Sequence, residues 1–329
     1  MLKPILILGP TAGGKSDLAA QIAHALDSDI ISADSMQIYR HMDAGTAKPH
    51  PQLRKIAHHH MIDIACPTQR YTVSDWLTQT KFIIQKQLDQ GKQPVIVGGT
   101  NLYINSLLQG IFEDDSPGHD PQFRENLKNC TPQQLHIQLQ TQDPPSAQRI
   151  HPNDHKRIIR ALEVIHLTGK TLSAQQTQWS DTHEKTYQYD PIILGLRWSV
   201  QVINPRINLR VKAMFYPEKV DPQLAAQVCI NNLESLTQET QRLEKAHLLG
   251  EQARQALGYK QVLAYLNNQW SLEDAFEKTK ILTRRFAKTQ RTWLKRFRGV
   301  HWIDMPQPNQ DALDQAMTII TQAKPKNQA

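Results

Sequence analysis

The stretch Ile5-Leu6-Ile7-Leu8-Gly9-Pro10-Thr11-Ala12-Gly13-Gly14-Lys15-Ser16 decides the fold of this chain. Its apolar half predicts a buried strand, and the G-x-x-x-x-G-K-S pattern predicts a loop that cradles phosphate with backbone amides. Lys15 adds a positive charge, and the Ser16 hydroxyl suits Mg²⁺. The amphipathic run 17–26 supplies a helix whose N-terminus favours anions. This order of strand, loop and helix predicts a phosphate site, for which a nucleoside triphosphate is the usual ligand.

Length, cysteine content and charge narrow the class of protein. A chain of 329 residues suggests about two domains with a sizeable core. No apolar run approaches the roughly 20 residues that cross a bilayer, and a strand begins almost at Met1, so we expect a cytosolic protein without a signal peptide. Cys66, Cys130 and Cys229 lack metal-site or disulfide spacing. The net charge of +7 favours an anionic partner.

Two more strand patterns end in polar residues. The run 29–32 leads to Asp34, and the run 94–98 leads to Gly99 and Thr100. Ligands of open parallel sheets bind at the carboxyl ends of the strands, so we expect these residues beside the phosphate loop. Asp34 then has three interpretations: a ligand for Mg²⁺, a general base, or the cap of a turn. Gly99 either admits a ligand to the backbone or only forms a turn.

The middle of the chain predicts a helical insertion. Residues 113–118 have the composition of a linker, helices are predicted at 120–128, at 131–141 and after Asp154, and the stretch 171–188 is polar. The apolar run 191–196 predicts a return to the sheet. We therefore expect an α/β core with C-terminal basic helices from residues 1–112 plus 190–329, and an insertion domain from 113–189.

Two groups of basic residues follow the last predicted strand. Arg206 and Arg210 lie one helical turn apart, as a pyrophosphate clamp or as an ordinary surface pair. Residues 278–298 contain nine Lys or Arg and no acid. On a helix, five of them form a basic stripe: Arg284, Lys288, Arg291, Lys295 and Arg298. The opposite face carries an apolar stripe of Leu282, Phe286, Trp293 and Phe297. The pattern predicts packing by the apolar stripe, with the basic stripe contacting phosphates or merely solvated. After Met305 the composition becomes polar, and the final residues are predicted to be frayed.

Together these segments resemble the tRNA dimethylallyltransferase (tRNA isopentenyltransferase) family in its bacterial form. Besides the phosphate loop, the shared motifs follow in family order at residues 34–39, 42–49, 97–103, 150–154, 160–164, 258–260 and 292–294. The resemblance implies an α/β fold with a P-loop NTPase-like parallel sheet core flanked by helices, a helical insertion domain and a helical C-terminal region.

The family resemblance also implies an enzymatic activity. Its members transfer the dimethylallyl group of dimethylallyl diphosphate to N6 of the adenosine at position 37 of tRNA, releasing diphosphate. By this resemblance Gly9, Pro10, Thr11, Ala12, Gly13, Gly14, Lys15 and Ser16 bind the diphosphate, and Ser16 binds Mg²⁺. Asp34, Thr100 and Arg210 match catalytic positions, with Asp34 as the base. We expect a monomer that binds the anticodon stem-loop of tRNA.

Residues that match tRNA-binding positions of the family are spread over several motifs. They are Asp34, Ser35, Met36, Gln37, Thr100, Arg124, Lys156, Arg157, Ile158, Ile159, Arg160, Gln255, Ala256, Leu257, Gly258, Tyr259, Lys260, Lys288, Thr289, Gln290, Arg291, Thr292, Trp293, Leu294 and Lys295. The chain departs from the family at Val200, where an arginine is common, at Thr289, which interrupts a Lys-Arg-Gln motif, and in residues 215–250.

Three other functions share some of these features. A nucleotide kinase uses the same loop on ATP but does not need a basic helix. A prenyltransferase acting on free adenylate likewise has no use for the basic C-terminal region. In a non-catalytic RNA-binding protein, Asp34 has no reaction to perform.

Overall fold

The computed structural model describes residues 2–110, 118–175, 187–228, 230 and 234–323. The chain divides into two compact units. Met1–Asn105 with Tyr189–Ala329 forms the sheet unit, and Ser106–Gln188 forms the helical unit. Most of the predicted linker, at 113–117, and residues 176–186 of the polar stretch lie outside the described residues. The predicted domain boundaries at 113 and 189 stay predictions.

Within the described ranges, the sheet unit contains one six-stranded parallel sheet. Its strands are β1 (Ile5–Leu8), β2 (Ile30–Ala33), β3 (His59–His60), β4 (Val95–Gly98), β5 (Ile192–Trp198) and β6 (Val300–Met305). Their order is β3-β2-β4-β1-β5-β6, and every neighbouring pair is parallel. The strands β1, β2 and β4 are buried at every position, as expected when both faces of a parallel sheet are covered. The predicted α/β class is confirmed.

The helices fill the connections between these strands and form the helical unit. They are α1 (Lys15–Ala25), α2 (Pro51–Ile56), α3 (Val73–Asp89), α4 (Asn101–Gln109), α5 (Pro121–Leu127), α6 (Pro132–Gln142), α7 (Pro144–Arg149), α8 (His155–Thr168), α9 (Leu172–Gln175), α10 (Val200–Phe215), α11 (Pro222–Ala226), α12 (Leu236–Lys245), α13 (Glu251–Arg254), α14 (Tyr259–Leu266), α15 (Leu272–Leu294) and α16 (Asn309–Gln322), with a 3₁₀ turn at Pro217–Lys219. Within the described ranges, no helix has both the length and the apolar character needed to cross a membrane.

The packed face of α15 differs from the predicted apolar stripe. Phe286 is 44% exposed, whereas Thr279, Thr283 and Gln290 are buried together with Ala275, Ala287 and Leu294. The hydroxyl groups of Thr279 and Thr283 donate to carbonyl oxygens four residues earlier, each at 2.7 Å. These bonds satisfy both hydroxyls, so a face of small and polar residues packs closely against α10 and α14. The prediction of an apolar packing stripe was wrong.

The polar segment after Met305 contains a helix that the sequence pattern did not indicate. α16 occupies Asn309–Gln322, and the final residues 324–329, which were predicted to be frayed, lie outside the described residues. Its residues Ala312, Ala316 and Ile320 repeat at helical spacing and are buried in the core that also contains β1 and α1. Their burial explains why this polar segment is helical, since helix stability in proteins comes mainly from packing one apolar face.

Candidate active site

The strand register brings three polar segments to one edge of the sheet. Gly98 of β4 pairs with Leu8 of β1 on one side and with Ala33 of β2 on the other. The phosphate loop (Gly9–Ser16) follows Leu8, Asp34 follows Ala33, and Thr100 comes two residues after Gly98. The predicted site residues at these strand ends therefore share one crevice edge, where parallel sheets bind ligands.

The phosphate loop turns into α1 through a left-handed residue. Gly14 has φ 79° and lies immediately before the first residue of the helix, a conformation that favours glycine. The Lys15 ammonium donates to the Pro10 carbonyl oxygen at 2.8 Å, and the Gly13 amide donates to the same oxygen at 3.2 Å. Both ends of the loop are thereby tied together at Pro10, with Lys15 and Ser16 in the first turn of α1.

Side chains from β5 and α10 fix the back of the phosphate loop. The Trp198 indole donates to the Gly13 carbonyl oxygen at 3.2 Å, and Arg206 Nε donates to the Ala12 carbonyl oxygen at 3.0 Å. The Arg206 guanidinium also lies over the Trp198 ring at 5.0 Å. The Gly13 carbonyl and the Gly14 amide belong to one trans peptide, in which the two groups point in opposite directions. The bond from Trp198 to the Gly13 carbonyl therefore turns the Gly14 amide away from the indole. Arg206 thus holds the loop, while Arg210, half-buried one turn later, stays a predicted catalytic residue.

Asp34 caps a turn with only one of its two carboxylate oxygens. Its Oδ1 accepts from the Met36 amide at 2.9 Å and from the Gln37 amide at 3.3 Å. Thr100 Oγ1 accepts from the Ser35 amide at 3.0 Å, which joins this turn to the end of β4. The turn-cap interpretation is therefore correct for Oδ1. Within the described residues Oδ2 makes no hydrogen bond, so capping and a role as a base are compatible.

The glycines after β4 are surrounded by protein atoms. A Cβ at Gly98 would lie 2.2 Å from the Ala33 carbonyl oxygen, and a Cβ at Gly99 would lie 2.1 Å from Gln290 Nε2. Real Cβ atoms do not come this close to other atoms, so Gly98 depends on glycine against the backbone of β2, whereas a side chain at Gly99 would require Gln290 to move. The space at these glycines is used by the neighbouring strand and by α15, so neither of the two sequence interpretations, a close approach of a ligand or a simple turn, included these contacts.

Gln37 connects the Asp34 turn to a second loop, residues 42–48. Its side-chain nitrogen donates to the carbonyl oxygens of Thr46 and Ala47, each at 3.3 Å. Its side-chain oxygen accepts from the Ser32 hydroxyl at 3.1 Å, and the Trp76 indole donates to the Ser32 carbonyl oxygen at 2.9 Å. The 42–48 loop is thus hydrogen-bonded to the residues around Asp34.

A buried carboxylate holds the 42–48 loop from the other side. Glu239, 2% exposed, accepts from the Asp43 and Ala44 amides, each at 2.8 Å, from the Gly45 amide at 3.5 Å and from the Tyr259 hydroxyl at 2.5 Å. Burial raises the pKa of Glu239, although these hydrogen bonds oppose the rise. Burial also raises the pKa of Tyr259, and the neighbouring Glu239 charge adds to that rise.

Lys48 closes the same loop. Its buried ammonium donates to the Tyr39 carbonyl oxygen at 2.6 Å, to Asp43 Oδ1 at 2.8 Å and to Asp63 Oδ1 at 2.5 Å. Arg54 contacts the other Asp63 oxygen at 2.8 Å. Burial acts to raise the pKa of Asp63, but the bonds from Lys48 and Arg54 outweigh it and lower that pKa. Paired charges therefore stabilise a loop that has little regular secondary structure.

In the helical unit, the predicted tRNA-binding residues have different environments. Lys156 and Arg157 are exposed, Ile159 is half-buried and Ile158 is fully buried in the core of the unit. Arg124 donates through Nε at 2.8 Å and through a terminal nitrogen at 2.7 Å to the buried carboxylate of Glu163. Arg160 donates to Glu163 Oε2 at 2.5 Å. The bonds to Glu163 thus give Arg124 and Arg160 a structural role that does not require RNA. Their predicted contacts with tRNA stay predictions.

The Glu163 cluster leads to a prediction about pH. Burial acts to raise the pKa of Glu163, but hydrogen bonds from Arg124, Arg160, the Asp120 amide and His119 outweigh it and hold the pKa well below its ordinary value of 4.5. A lowered pKa stabilises the fold above the unfolded-state pKa, and this stability is lost as the pH falls. We expect hydrogen exchange of α5 and α8 amides to accelerate below about pH 4.5, in line with this linkage.

Glu163→Gln is the matched control for this pH dependence. It keeps the size of the side chain but removes the charge, so we expect faster exchange at neutral pH and little further change on acidification. Wild-type exchange that is independent of pH, after correction for intrinsic rates, would contradict the proposed role of the charge.

In the sheet unit, the remaining predicted tRNA-binding residues lie on and directly after α15, and before and at the start of α14. Lys288, Thr289, Thr292 and Lys295 are exposed, Arg291 and Trp293 are half-buried, and Gln290 and Leu294 are buried. Gln255, Leu257 and Lys260 are exposed, whereas Ala256, Gly258 and Tyr259 are buried. Arg284, assigned to the basic stripe, instead donates to Asn208 Oδ1 at 2.6 Å. The exposed basic surface is therefore narrower than the sequence pattern predicted.

The residues at the site suit a metal ion that arrives with phosphate. Among the described residues, no group of three or more His, Cys, Asp or Glu is placed to hold a metal ion. Mg²⁺ is usually bound by one or two protein oxygens together with substrate phosphates and water. The Ser16 hydroxyl, at the start of α1 beside the phosphate loop, fits that donor set.

Residues 37–297 match the family described as IPP transferase. The chain belongs to this family. It is 41% identical over 303 residues to the tRNA dimethylallyltransferase of Thermoanaerobacter sp., covering 91% of this chain and 90% of the relative. It is 37% identical over 312 residues to that of Bacillus subtilis, covering 93% and 92%. The sequence-based assignment to the family is confirmed.

Solved structures of related proteins have the same fold. A tRNA isopentenylpyrophosphate transferase from Staphylococcus epidermidis aligns with a TM-score of 0.66 at 33% identity, covering 98% of this chain and all of the other. A eukaryotic dimethylallyltransferase, described as acting on tRNA, aligns with a TM-score of 0.77 at 25% identity, covering all of this chain and 81% of the other.

Proposed function

We propose that this enzyme transfers the dimethylallyl group from dimethylallyl diphosphate to N6 of the adenosine at position 37 of tRNA, with release of diphosphate. The observation that carries the proposal is the shared strand edge, where the phosphate loop and the Asp34 turn follow β1 and β2. This arrangement occurs in a chain whose relatives are named tRNA dimethylallyltransferases. The reaction requires an anion site beside a carboxylate, and this arrangement supports the proposal.

The proposed reaction needs a base because an adenine amine is a poor nucleophile, its lone pair being delocalised into the ring. In our proposal N6 attacks C1 of the prenyl group, a C–N bond forms, and the C–O bond to diphosphate breaks. The electron pair of that bond leaves with the diphosphate, and an N6 proton passes to Asp34. The Oδ1 bonds of Asp34 fix the carboxylate, which leaves Oδ2 to accept the proton.

The departing diphosphate gains negative charge, which positive groups at the phosphate loop stabilise. We assign this role to the loop, Lys15 and Arg210. The Ser16 hydroxyl would hold Mg²⁺, which would supply further charge neutralisation when bound. Thr100 acts in this scheme by holding the Asp34 turn through the Ser35 amide.

We further propose that tRNA binds as a folded anticodon stem-loop to a monomeric enzyme. The target adenine must leave its stack to reach the crevice. Recognition of folded RNA then rests on backbone contacts and extruded bases. The exposed lysines of α15, and Lys156 and Arg157 of the helical unit, are our candidates for the backbone contacts.

The basic surface of α15 gives a prediction about salt. We expect Lys288→Ala with Lys295→Ala to weaken tRNA binding and to reduce the slope of log K against log salt by roughly 0.7–0.9 for each phosphate that these lysines neutralise in wild type. The control is the double variant Lys81→Ala with Lys92→Ala, in which Lys81 lies on α3 and Lys92 lies after it. It tests whether the removal of any two positive charges has the same effect on tRNA binding. The measurement is tRNA binding by filter retention at several salt concentrations. An unchanged slope would show that these lysines are solvated and do not contact phosphates.

Incubation of the protein with labelled dimethylallyl diphosphate, Mg²⁺ and unmodified tRNA tests the proposed function. We expect label in tRNA only when adenosine is present at position 37. Label in free AMP would favour the adenylate prenyltransferase, and phosphate transfer from ATP to a nucleotide would favour the kinase. Binding of tRNA without any transfer would favour a non-catalytic RNA-binding protein.

A further inference from the structure

Gln290, in the predicted tRNA-binding segment 288–295, has a side-chain hydrogen bond to the phosphate loop. It is 3% exposed. Its Oε1 accepts from the Thr11 amide at 2.8 Å, and its Nε2 donates to the Gly99 carbonyl oxygen at 3.0 Å. The side chain therefore bridges the loop after β1 and the end of β4, 279 and 191 residues away in sequence.

The glycine opposite Gln290 is part of the same arrangement. Because a Cβ at Gly99 would lie 2.1 Å from Gln290 Nε2, alanine at this position would displace the glutamine or the end of β4. The absence of a side chain at Gly99 thus gives Gln290 room to reach the backbone. Both the oxygen and the nitrogen of the amide bond to protein atoms, and the side chain is buried, so it presents almost no surface to RNA.

The bond to Thr11 also affects which groups can bind an anion. Phosphate loops bind anions through backbone amides that point into the loop. The Thr11 amide points to Gln290, and the Gly13 amide points to the Pro10 carbonyl oxygen. These two amides therefore stabilise the loop conformation, and the anion is left to the other groups of the loop.

We infer that Gln290 is a positioning residue of the diphosphate site, which fixes the phosphate loop against the end of β4, and not a tRNA contact. The inference rests on the proposed function, since it concerns how the prenyl donor is held. Gln290 acts through the backbone of Thr11 and Gly99, in the same way that Trp198 and Arg206 act through Gly13 and Ala12.

Gln290→Met tests this role, because methionine has a similar size but cannot make either hydrogen bond. The probe is inorganic pyrophosphate with Mg²⁺, titrated calorimetrically into the full-length protein. We expect binding about tenfold weaker than in wild type, as for the loss of two neutral hydrogen bonds. The KM for dimethylallyl diphosphate should rise, while tRNA affinity stays within about twofold.

Gln87→Met is the matched control. Gln87 is a second buried glutamine of the sheet unit, 2% exposed, and accepts from the Ser28 hydroxyl at 3.1 Å, before the start of β2. Since Ser28 lies at the opposite edge of the sheet from the phosphate loop, this variant should bind pyrophosphate like wild type, whatever its stability. Equal weakening in both variants would show a general effect of destabilisation and would overturn the inference.

Gly99→Ala gives a second test that does not depend on the methionine variant. The new Cβ should displace Gln290 and weaken pyrophosphate binding. In Gly99→Ala with Gln290→Ala the clash is gone, so we expect the double variant to lose less affinity than the sum of the two single variants. Additive losses would contradict a shared mechanism.

The outcomes separate the inference from the proposed function. If Gln290→Met binds pyrophosphate like wild type, or loses tRNA binding instead, the positioning role is wrong while the activity of wild type stands. If wild type transfers no label to tRNA but its pyrophosphate binding still depends on Gln290, the proposed function is wrong and the positioning role stands. No pyrophosphate binding by wild type would overturn the positioning role, and transfer of label to tRNA would then decide the proposed function by itself.

Discussion

Asparagine in place of Asp34 is expected to lower kcat by about 10²–10⁴-fold, the usual contribution of a general base. The amide oxygen can still accept from the Met36 and Gln37 amides, as Oδ1 does in the wild-type turn. The geometry of the turn should therefore survive, while the group that accepts the N6 proton is lost. Single-turnover rates with saturating tRNA and prenyl donor measure this effect directly.

Alanine at Asp34 separates the two roles of the carboxylate. Asp34→Ala removes the base and the turn cap together, so we expect it to lose kcat at least as strongly and to lower stability as well, by about 1 kcal/mol for a lost capping bond. Affinity for tRNA should change little in Asp34→Asn. An asparagine variant with wild-type turnover, or one that fails only in tRNA binding, would show that Asp34 is not the base.

Alanine in place of Glu239 is expected to reduce the free energy of unfolding by about 3–4 kcal/mol, because it leaves buried donors unpaired and opens a cavity. The donors are the Asp43 and Ala44 amides and the Tyr259 hydroxyl. Urea denaturation, with the m value compared between variants, measures this loss. The 42–48 loop is also bonded to Gln37, so we expect turnover to fall in the residual folded protein.

Glu239→Gln is the milder companion variant. The glutamine oxygen can accept hydrogen bonds from the Asp43 and Ala44 amides. The variant has no carboxylate charge at this position, so burial has no charge to destabilise. Because burial raises the pKa of Glu239, its contribution to stability is largest below the unfolded-state pKa and declines as the pH rises through the folded-state pKa. Wild type should therefore lose stability relative to Glu239→Gln as the pH rises. If the difference in stability between wild type and Glu239→Gln were constant across the pH range, the Glu239 carboxylate would not lie in the buried environment described here.

The sequence was sufficient for the strands of the crevice and for the residues that follow them. Apolar runs identify β1, β2, β4 and β5, and the rule that parallel strands open at their carboxyl ends brings Asp34 and Thr100 to the phosphate loop. The capping box that Thr72 and Asp75 form at the start of α3 is a local feature of the same kind. These features depend on local patterns within about ten residues, which is why they can be predicted from one sequence.

The supports of the site could not be predicted in this way. Gln290 meets Thr11 across 279 residues, and Glu239 meets Asp43 across 196. No periodicity marks such pairs, because they are set by how α15 and α12 pack in the folded chain. For Gln290 a signal did exist: a glutamine among residues with strong positive charge, on the same helix face as Thr279 and Thr283. Gln290 was instead predicted to contact tRNA, because the sequence does not show that a polar side chain on a basic helix has buried partners within the protein.

The segment 215–250 illustrates a different limit. It was expected to depart from the family pattern, yet the match to the family spans it, and Leu236, Glu239 and Leu243 of α12 are buried. Leu236 and Leu243 belong to the core that also contains Tyr259. A core requires volume and satisfied polar groups more than particular residue types, so a few motif positions do not predict whether a segment packs.

A single-turnover reaction tests the central claim most directly, with dimethylallyl diphosphate, Mg²⁺ and unmodified tRNA. Two products are measured in the same sample: diphosphate released and N6-dimethylallyladenosine at position 37, identified by nuclease digestion and mass spectrometry. We predict one diphosphate for each modified adenosine, with both products lost in Asp34→Asn. Diphosphate release without modified adenosine, or modification that is unaffected by Asp34→Asn, would contradict the account.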